Sequence, residues 1–169
     1  MTALPIPAPL SLTPERPIDA VVVEGLIARA FGPGRFVKAA ERLREGRAPV
    51  LDLSFVAWMD GVAVGCVRLW SVSIGETPAL LLGPFAVDEA CRSQGLGATL
   101  IQRACAAATS AGHGLILLVG DQAYFNALGF SAPAARRVIM PGPVDQARVL
   151  VQALKPGAAD DLAGLVVAH

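Results

Sequence analysis

A mixed α/β fold is what the sequence predicts, on three observations. Two runs with helical spacing open the chain, a β-rich pair follows around Asp60-Gly61, and strand-like and helix-like runs alternate from Ala79 onward. With 169 residues and 17.4 kDa, the chain suits one domain with a proper core, and two domains would each be cramped. The expected division is a Pro-rich leader over 1–9 and a single domain over 10–169.

In order, Leu10 to Thr13 reads as a short first strand. Asp19 is placed to cap a helix to about Ala30, because Val22, Leu26, Ile27 and Ala30 recur at helical spacing before the turn Gly32-Pro33-Gly34. A second helix is expected from Arg35 to about Arg44, with Phe36, Ala40 and Leu43 on one side and Arg35, Lys38 and Arg42 on another. That basic stripe either rims a site for an acidic ligand or is a solvated face, and the interleaved Glu41 and Glu45 favour the second.

Val50 to Met59 and Val62 to Val72 are β-rich runs joined by Asp60-Gly61, a strong two-residue hairpin signal. Ala79 to Val87 is almost wholly apolar and so is expected to be buried on both faces, yet it contains Gly83-Pro84. A proline in a central strand leaves a ladder position without a donor. Either the run is not central, or the sheet bulges or splays there. A helix follows from Gly95 to about Ala111, with Leu96, Leu100, Ala104 and Ala108 on one stripe and Gly112 as its stop. Leu115 to Val119 is an apolar strand of the parallel-sheet kind, and Asp121 can cap a brief helix through Leu128, ended by Gly129. Val138 to Met140, Val149 to Leu154 and Leu165 to Val167 are strand-like runs between Pro/Gly turns.

Composition excludes several classes. Apolar residues make up 54% and charged residues 17%, which excludes a disordered chain. Lys plus Arg (14) balance Asp plus Glu (14), so the basic excess of a nucleic-acid partner is missing. The uncharged stretch Ala104 to Gly120 is just short of a membrane span and contains three glycines. The N-terminus has no basic residue before Arg16 and three prolines in its first nine positions, unlike a signal peptide. Cys66, Cys91 and Cys105 cannot all pair, which suits a reducing compartment. A cytoplasmic chain with no membrane or nucleic-acid partner is expected.

One segment carries chemistry: Val87 to Leu100, VDEACRSQGLGATL. Gly95 and Gly97 sit where a strand gives way to a helix with no charge in its first turns. Such glycines let the backbone approach a ligand, and the helix N-terminus attracts an anion such as pyrophosphate, with Arg92 adding charged donors. The alternative is a plain strand-to-helix connection with glycines for packing. A Walker loop is excluded because the chain has no Gly-Lys pair. A dinucleotide fingerprint is disfavoured by Leu100, where a third glycine or alanine belongs, although Asp121 lies at about the distance of a ribose acid.

Val87 followed by Arg92-x-x-Gly95-x-Gly97 resembles the acyl-CoA signature of the GNAT superfamily of N-acetyltransferases, and Leu128-Gly129-Phe130 resembles its second landmark. Phe31-Gly-Pro-Gly-Arg35-Phe36, Gly83-Pro-Phe-Ala-Val87 and Leu118-Val-Gly-Asp121 are similar to an uncharacterised bacterial branch of these enzymes. The likeness runs from about Leu10 to the last strand. It implies a largely antiparallel sheet of about six to seven strands with helices on both faces. It further implies acetyl-CoA as cosubstrate, no metal, and an amine acceptor, small molecule or peptide. Arg92, Ser93, Gln94, Gly95, Leu96 and Gly97, continuing into Ala98 and Thr99, would then bind the CoA pyrophosphate. Phe85, Ala86 and Val87 would offer main-chain groups to pantetheine where the fourth and fifth strands part.

The resemblance implies direct attack of the amine on the thioester, an oxyanion held by a backbone N–H near Val87, and a tyrosine four residues before the Gly-Phe pair as proton donor. Here that position is Phe125, and the only tyrosine, Tyr124, is its neighbour, about 100° away around a helix. Either Tyr124 reaches through a shifted helix, or water protonates the thiolate, or catalysis is impaired. The base is sought among Glu76, Asp88, Asp121 and His113, with Asp121 better suited to capping, and Cys91 reads as a small apolar residue. Trp58, Trp70 and Phe31 line the acceptor pocket or fill the core. The expected activity is acetyl transfer to an amine; the alternative is a CoA-binding sensor or regulatory module without turnover. A homodimer is the commonest assembly a priori.

Overall fold

The computed structural model describes residues 9–92 and 94–169, so the leader up to Ala8 and Ser93 lie outside the description. The strands are β1 (Leu10–Pro14), β2 (Phe55–Met59), β3 (Val62–Ile74), β4 (Thr77–Val87), β5 (Leu115–Val119), β6 (Val138–Ile139), β7 (Val149–Ala153) and β8 (Gly164–Ala168). The helices are α1 (Ala20–Phe31), α2 (Ala39–Arg42), α3 (Leu96–Ser110) and α4 (Gln122–Asn126). The sheet runs β1-β2-β3-β4-β5-β7, antiparallel except between β4 and β5, and β8 pairs with the end of β3 at Val72–Ile74. Eight strands therefore stand where six to seven were expected. The run Val138 to Met140, already strand-like in sequence, forms the two-residue β6, which pairs with β8 in parallel.

Alternating side chains send alternate residues to two faces. Phe55, Val67, Leu69, Ile116 and Leu118 pack under the Leu96, Leu100, Ile101, Ala104 and Ala108 stripe of α3. On the other face Val56, Cys66 and Ala86 meet Val23, Leu26 and Ile27 of α1, while Trp70, Leu81, Leu115 and Leu117 meet Ala39 and Leu43. The buried stripe of α1 is shifted from expectation: Val22 is exposed and Val23 takes its place. Asp19 does not cap α1 with its side chain. Its carboxylate instead accepts from the Arg16 backbone N–H and guanidinium across the 3-10 turn Pro17–Asp19.

The expected helix from Arg35 to Arg44 is not continuous. Pro33–Val37 forms a 3-10 turn, Lys38 is extended (φ −74°, ψ 144°), and only Ala39–Arg42 is α-helical. The break redistributes the basic stripe. Likewise 51–53 is a 3-10 turn rather than strand, and α4 ends at Asn126. Asp60 and Gly61 both have positive φ, as a tight two-residue hairpin requires.

Two irregularities position the site. β4 pairs with β3 at Leu82↔Leu69 and again at Phe85↔Val67, so Gly83-Pro84 bulges opposite Arg68 alone. β4 pairs with β5 only at Leu80↔Ile116 and Leu81↔Leu117. Beyond that point the strands part, so Pro84 needs no donor toward β5. The bulge and the splay anticipated from Gly83-Pro84 both occur.

Candidate active site

The loop after β4 leads into α3 through Gly95, which takes a left-handed conformation (φ 77°) open to glycine. No side chain caps α3 and no acidic residue lies in its first turn, so its N-terminal N–H groups point outward uncompensated. Asp88 caps the short turn Glu89–Cys91 by accepting from the Ala90 N–H, and Arg92 Nε donates to the Val87 carbonyl at 3.1 Å, drawing its guanidinium back over the loop. Gly97 is where three elements converge. A Cβ there would stand 3.0 Å from Phe85 Cε2 of β4 and 3.0 Å from the Tyr124 hydroxyl of α4. Gly95, Gly97, Phe85, Val87, Arg92 and Tyr124 line a groove of about 390 Å³.

A second cavity, also about 390 Å³, opens where β4 and β5 part. Its apolar wall includes Phe31, Leu82, Leu118 and Phe125, and Phe31 and Phe85 are shared with the groove. The two spaces therefore meet across the free edge of β4. Trp70 Nε1 donates to the Gly83 carbonyl at 2.6 Å and fixes the bulge from beneath.

Tyr124 and Phe125 are adjacent in sequence and serve different spaces. Their rings meet edge to face at 4.9 Å. Tyr124 stacks on Phe85 and faces the glycine loop; Phe125 is buried against Phe130 and Gly120 and borders the cavity at the splay. Burial pushes the Tyr124 phenol up from its ordinary value, so it carries its proton at neutral pH.

Charge is unevenly spread over the cavity. Among the described residues, Arg35, Lys38, Arg44 and Arg148 border it against Asp121 and Asp145. Both carboxylates are engaged as caps, Asp121 accepting from the Ala123 and Tyr124 N–H groups and Asp145 from the Ala147 N–H. Arg44 donates to Glu41 through Nε and Nη2, and a Cβ on Gly83 would lie 3.2 Å from its Nη1. Behind this wall, Arg68 is buried between Glu15 and Glu24, and Glu24 also accepts from Arg35.

Of the base candidates, only Asp121 borders the cavity. Glu76 lies in the β3–β4 turn and His113 beyond the end of α3, neither on either space. Trp58 hydrogen-bonds Thr13 away from the site, Trp70 lies beneath its floor, and Phe31 alone of the three aromatics borders it. Cys91 is buried beside the groove. Arg42 leaves the stripe to donate to the Pro141 carbonyl, while Arg44 and Arg148 are cavity residues that helical spacing could not reveal. Among the described residues no group of three or more His, Cys, Asp or Glu could hold a metal, and no helix is long and apolar enough to cross a membrane.

Residues 51–132 match the family model of the acetyltransferase (GNAT) domain. The chain is 30% identical over 158 residues to the uncharacterized N-acetyltransferase YhbS of Escherichia coli K12, covering 92% of this chain and 93% of that one. Its fold superposes on the crystal structure of Escherichia coli YhbS in complex with CoA with a TM-score of 0.80 at 27% identity, over 100% of this chain and 93% of that one. A GNAT family acetyltransferase from Brucella melitensis, in complex with acetyl-CoA, gives a TM-score of 0.72 at 27% identity over 96% and 97% of the two chains.

Proposed function

The chain belongs to the GNAT family of N-acetyltransferases, and on that premise we propose that it transfers the acetyl group of acetyl-CoA to an amine seated in the β4–β5 cavity. The observation that carries this reading is the junction of the two spaces: an uncapped, glycine-opened helix N-terminus on one side, and a parted strand edge leading to an apolar cavity on the other. The CoA bound by the two solved relatives supports it.

The residues fit the cosubstrate. The N–H groups from Gly95 to Ala98, with Arg92 and Gln94, receive the pyrophosphate at the positive end of α3, beside Thr99, whose own N–H donates to the Gly95 carbonyl. Ser93 belongs to the same loop by sequence. Gly97 keeps the wall low, because any side chain would occupy the space between Phe85 and Tyr124. Phe85, Ala86 and Val87, on an edge that no longer pairs with β5, offer main-chain groups to pantetheine as if to an added strand.

Acetyl-CoA supplies an activated carbonyl and a thiolate leaving group. A backbone N–H near Val87 steadies the oxyanion that forms there. The neutral amine attacks the carbonyl carbon to form the C–N bond, the oxyanion collapses as the C–S bond breaks, and the nitrogen gives up its extra proton to water. Phe125 has no proton to give, so the thiolate takes one from water or from Tyr124, the phenol bordering the groove. Replacing Tyr124→Phe separates these: a fall in kcat of roughly a hundredfold or more makes Tyr124 the donor, and a severalfold change assigns the proton to water. The buried or half-buried thiols of Cys66, Cys91 and Cys105 support a reducing, cytoplasmic setting. Release of CoA thiol from acetyl-CoA across a panel of primary amines tests the activity.

Phe125 favours a second reading, a CoA-binding module without turnover. It expects acetyl-CoA binding with no thiol release over the whole panel, and release appearing in Phe125→Tyr. Thiol release by the natural chain sinks it.

A further inference from the structure

We infer that the acceptor carries an anionic group, a carboxylate or a phosphate, alongside its amine, and that Arg44, Lys38 and Arg148 hold that group at the mouth of the β4–β5 splay. The inference deepens the acetyltransferase reading and rests on it.

The cavity is built for such a ligand in three respects. Its formal charge is positive, and both carboxylates on its border are already committed to backbone N–H groups of neighbouring turns. Its central cation, Arg44, has a side chain only 10% exposed, and two of its nitrogens share a single oxygen of Glu41. The remaining nitrogen, Nη1, lies over Gly83, the residue before Pro84 on the parted edge of β4. Burial depresses the Arg44 guanidinium from its ordinary value, and Arg35 and Arg68 add to the effect against the opposing pull of Glu41. Burial strips water from a cation that has one carboxylate oxygen for two of its nitrogens, and an anion at Nη1 would replace part of that lost hydration.

The placement also orders the ligand. Charge-assisted hydrogen bonds are strongest where water is scarce, and the wall of Phe31, Leu82, Leu118 and Phe125 makes it so. An anion fixed at Arg44 puts the amine of the same molecule along β4 past Phe85 toward Val87, where the acetyl carbonyl is proposed to lie. Lys38 stands over the Phe31 ring at 5.3 Å, and Arg148, immediately before β7 where it pairs with β5, donates Nε to the Gly120 carbonyl, so cations border the cavity from the 33–44 segment and from the β7 side.

Titration calorimetry on the full chain tests this in two steps. Acetyl-CoA is titrated first, and the CoA-saturated protein then receives inorganic phosphate or malonate at constant ionic strength. The expected result is saturable binding of at least one of the two, weakened roughly tenfold in Arg44→Gln and in Lys38→Gln, each variant still binding acetyl-CoA. A preference for phosphate or malonate tells which anion the acceptor carries. Lys38, on an exposed side chain, keeps the test valid if Arg44→Gln fails to fold because Glu41 loses its partner. If wild type does not bind acetyl-CoA, the acetyltransferase reading fails and the inference with it. If it binds acetyl-CoA but neither anion, or binds an anion equally well in the folded variants, the inference alone is overturned.

Discussion

Gly120 shows how a single residue sets the shape of the site. The Phe125 ring lies so close to its Cα that a Cβ would overlap Phe125 Cε2 and stand 2.8 Å from Cδ2. Phe125 is itself packed against Phe85, Tyr124 and Phe130, so moving the ring disturbs all three contacts. Gly120→Ala is therefore expected to cost about 1–3 kcal/mol by overpacking. In thermal denaturation this is a drop of roughly 3–10 °C for a chain of this size. An unchanged melting temperature would show that the ring moves freely. The Tyr124–Phe125 question was visible in the sequence, since adjacent helical residues face different directions, and the two side chains do border different spaces. It could not announce that Gly120 answers to Phe125, because that contact depends on how β5 meets α4.

At the scale of elements, the central fact is the break in β4. Gly83-Pro84 made it legible in advance: a proline without an N–H has few places in a central strand. The glycine loop and α3 were equally legible, because the Leu96–Leu100–Ala104–Ala108 stripe is regular along a helix of 15 residues. The segment 33–44 was not. Its basic residues fit a helix on spacing, but Pro33 seeds a tighter turn and Lys38 is extended, so Arg35 and Lys38 border the cavity while Arg42 turns to the Pro141 carbonyl. Arg44 follows the end of α2 at Arg42, so helical spacing could not place it at the cavity.

The element-level tie is the pair Glu15–Arg68. Glu15 follows β1, while Arg68 is the β3 residue opposite the Gly83-Pro84 bulge, and the two side chains are 1% and 5% exposed. Glu15→Gln leaves a buried guanidinium short of one counter-charge. The expected loss is about 3–5 kcal/mol of unfolding free energy, read from the denaturant midpoint, because removing one partner strands the other. A loss below about 1 kcal/mol would mean that Glu24 alone suffices for Arg68.

At the scale of the whole molecule, a formal balance of 14 to 14 speaks only to the absence of the basic excess of a nucleic-acid partner. The fold nevertheless gathers uncapped N–H groups at α3 and guanidinium groups at the splay, while carboxylates pair or cap elsewhere. The same network sets a pH limit on stability. Burial alone would raise the Glu24 carboxyl, but hydrogen bonds from Arg35 and Arg68 outweigh it and hold the group below its ordinary 4.5. A depressed carboxylate stabilises the fold above about pH 4.5, and that stabilisation is lost as pH falls toward the folded value. Melting temperature measured from pH 7 down to about 3 should fall on the acid side, and fall less steeply in Glu24→Gln. Identical slopes in the two proteins would remove Glu24 from the account.

The central claim is that the groove between β4 and the N-terminus of α3 holds acetyl-CoA, and calorimetric titration of acetyl-CoA into the wild type and Gly97→Trp tests it most directly. The wild type should bind saturably with one site, and Gly97→Trp, which fills the space between Phe85 and the Tyr124 hydroxyl, should not bind while remaining folded. No heat of binding to the wild type at roughly 0.5 mM, weaker than about −4.5 kcal/mol, or equal binding by the variant, would contradict it.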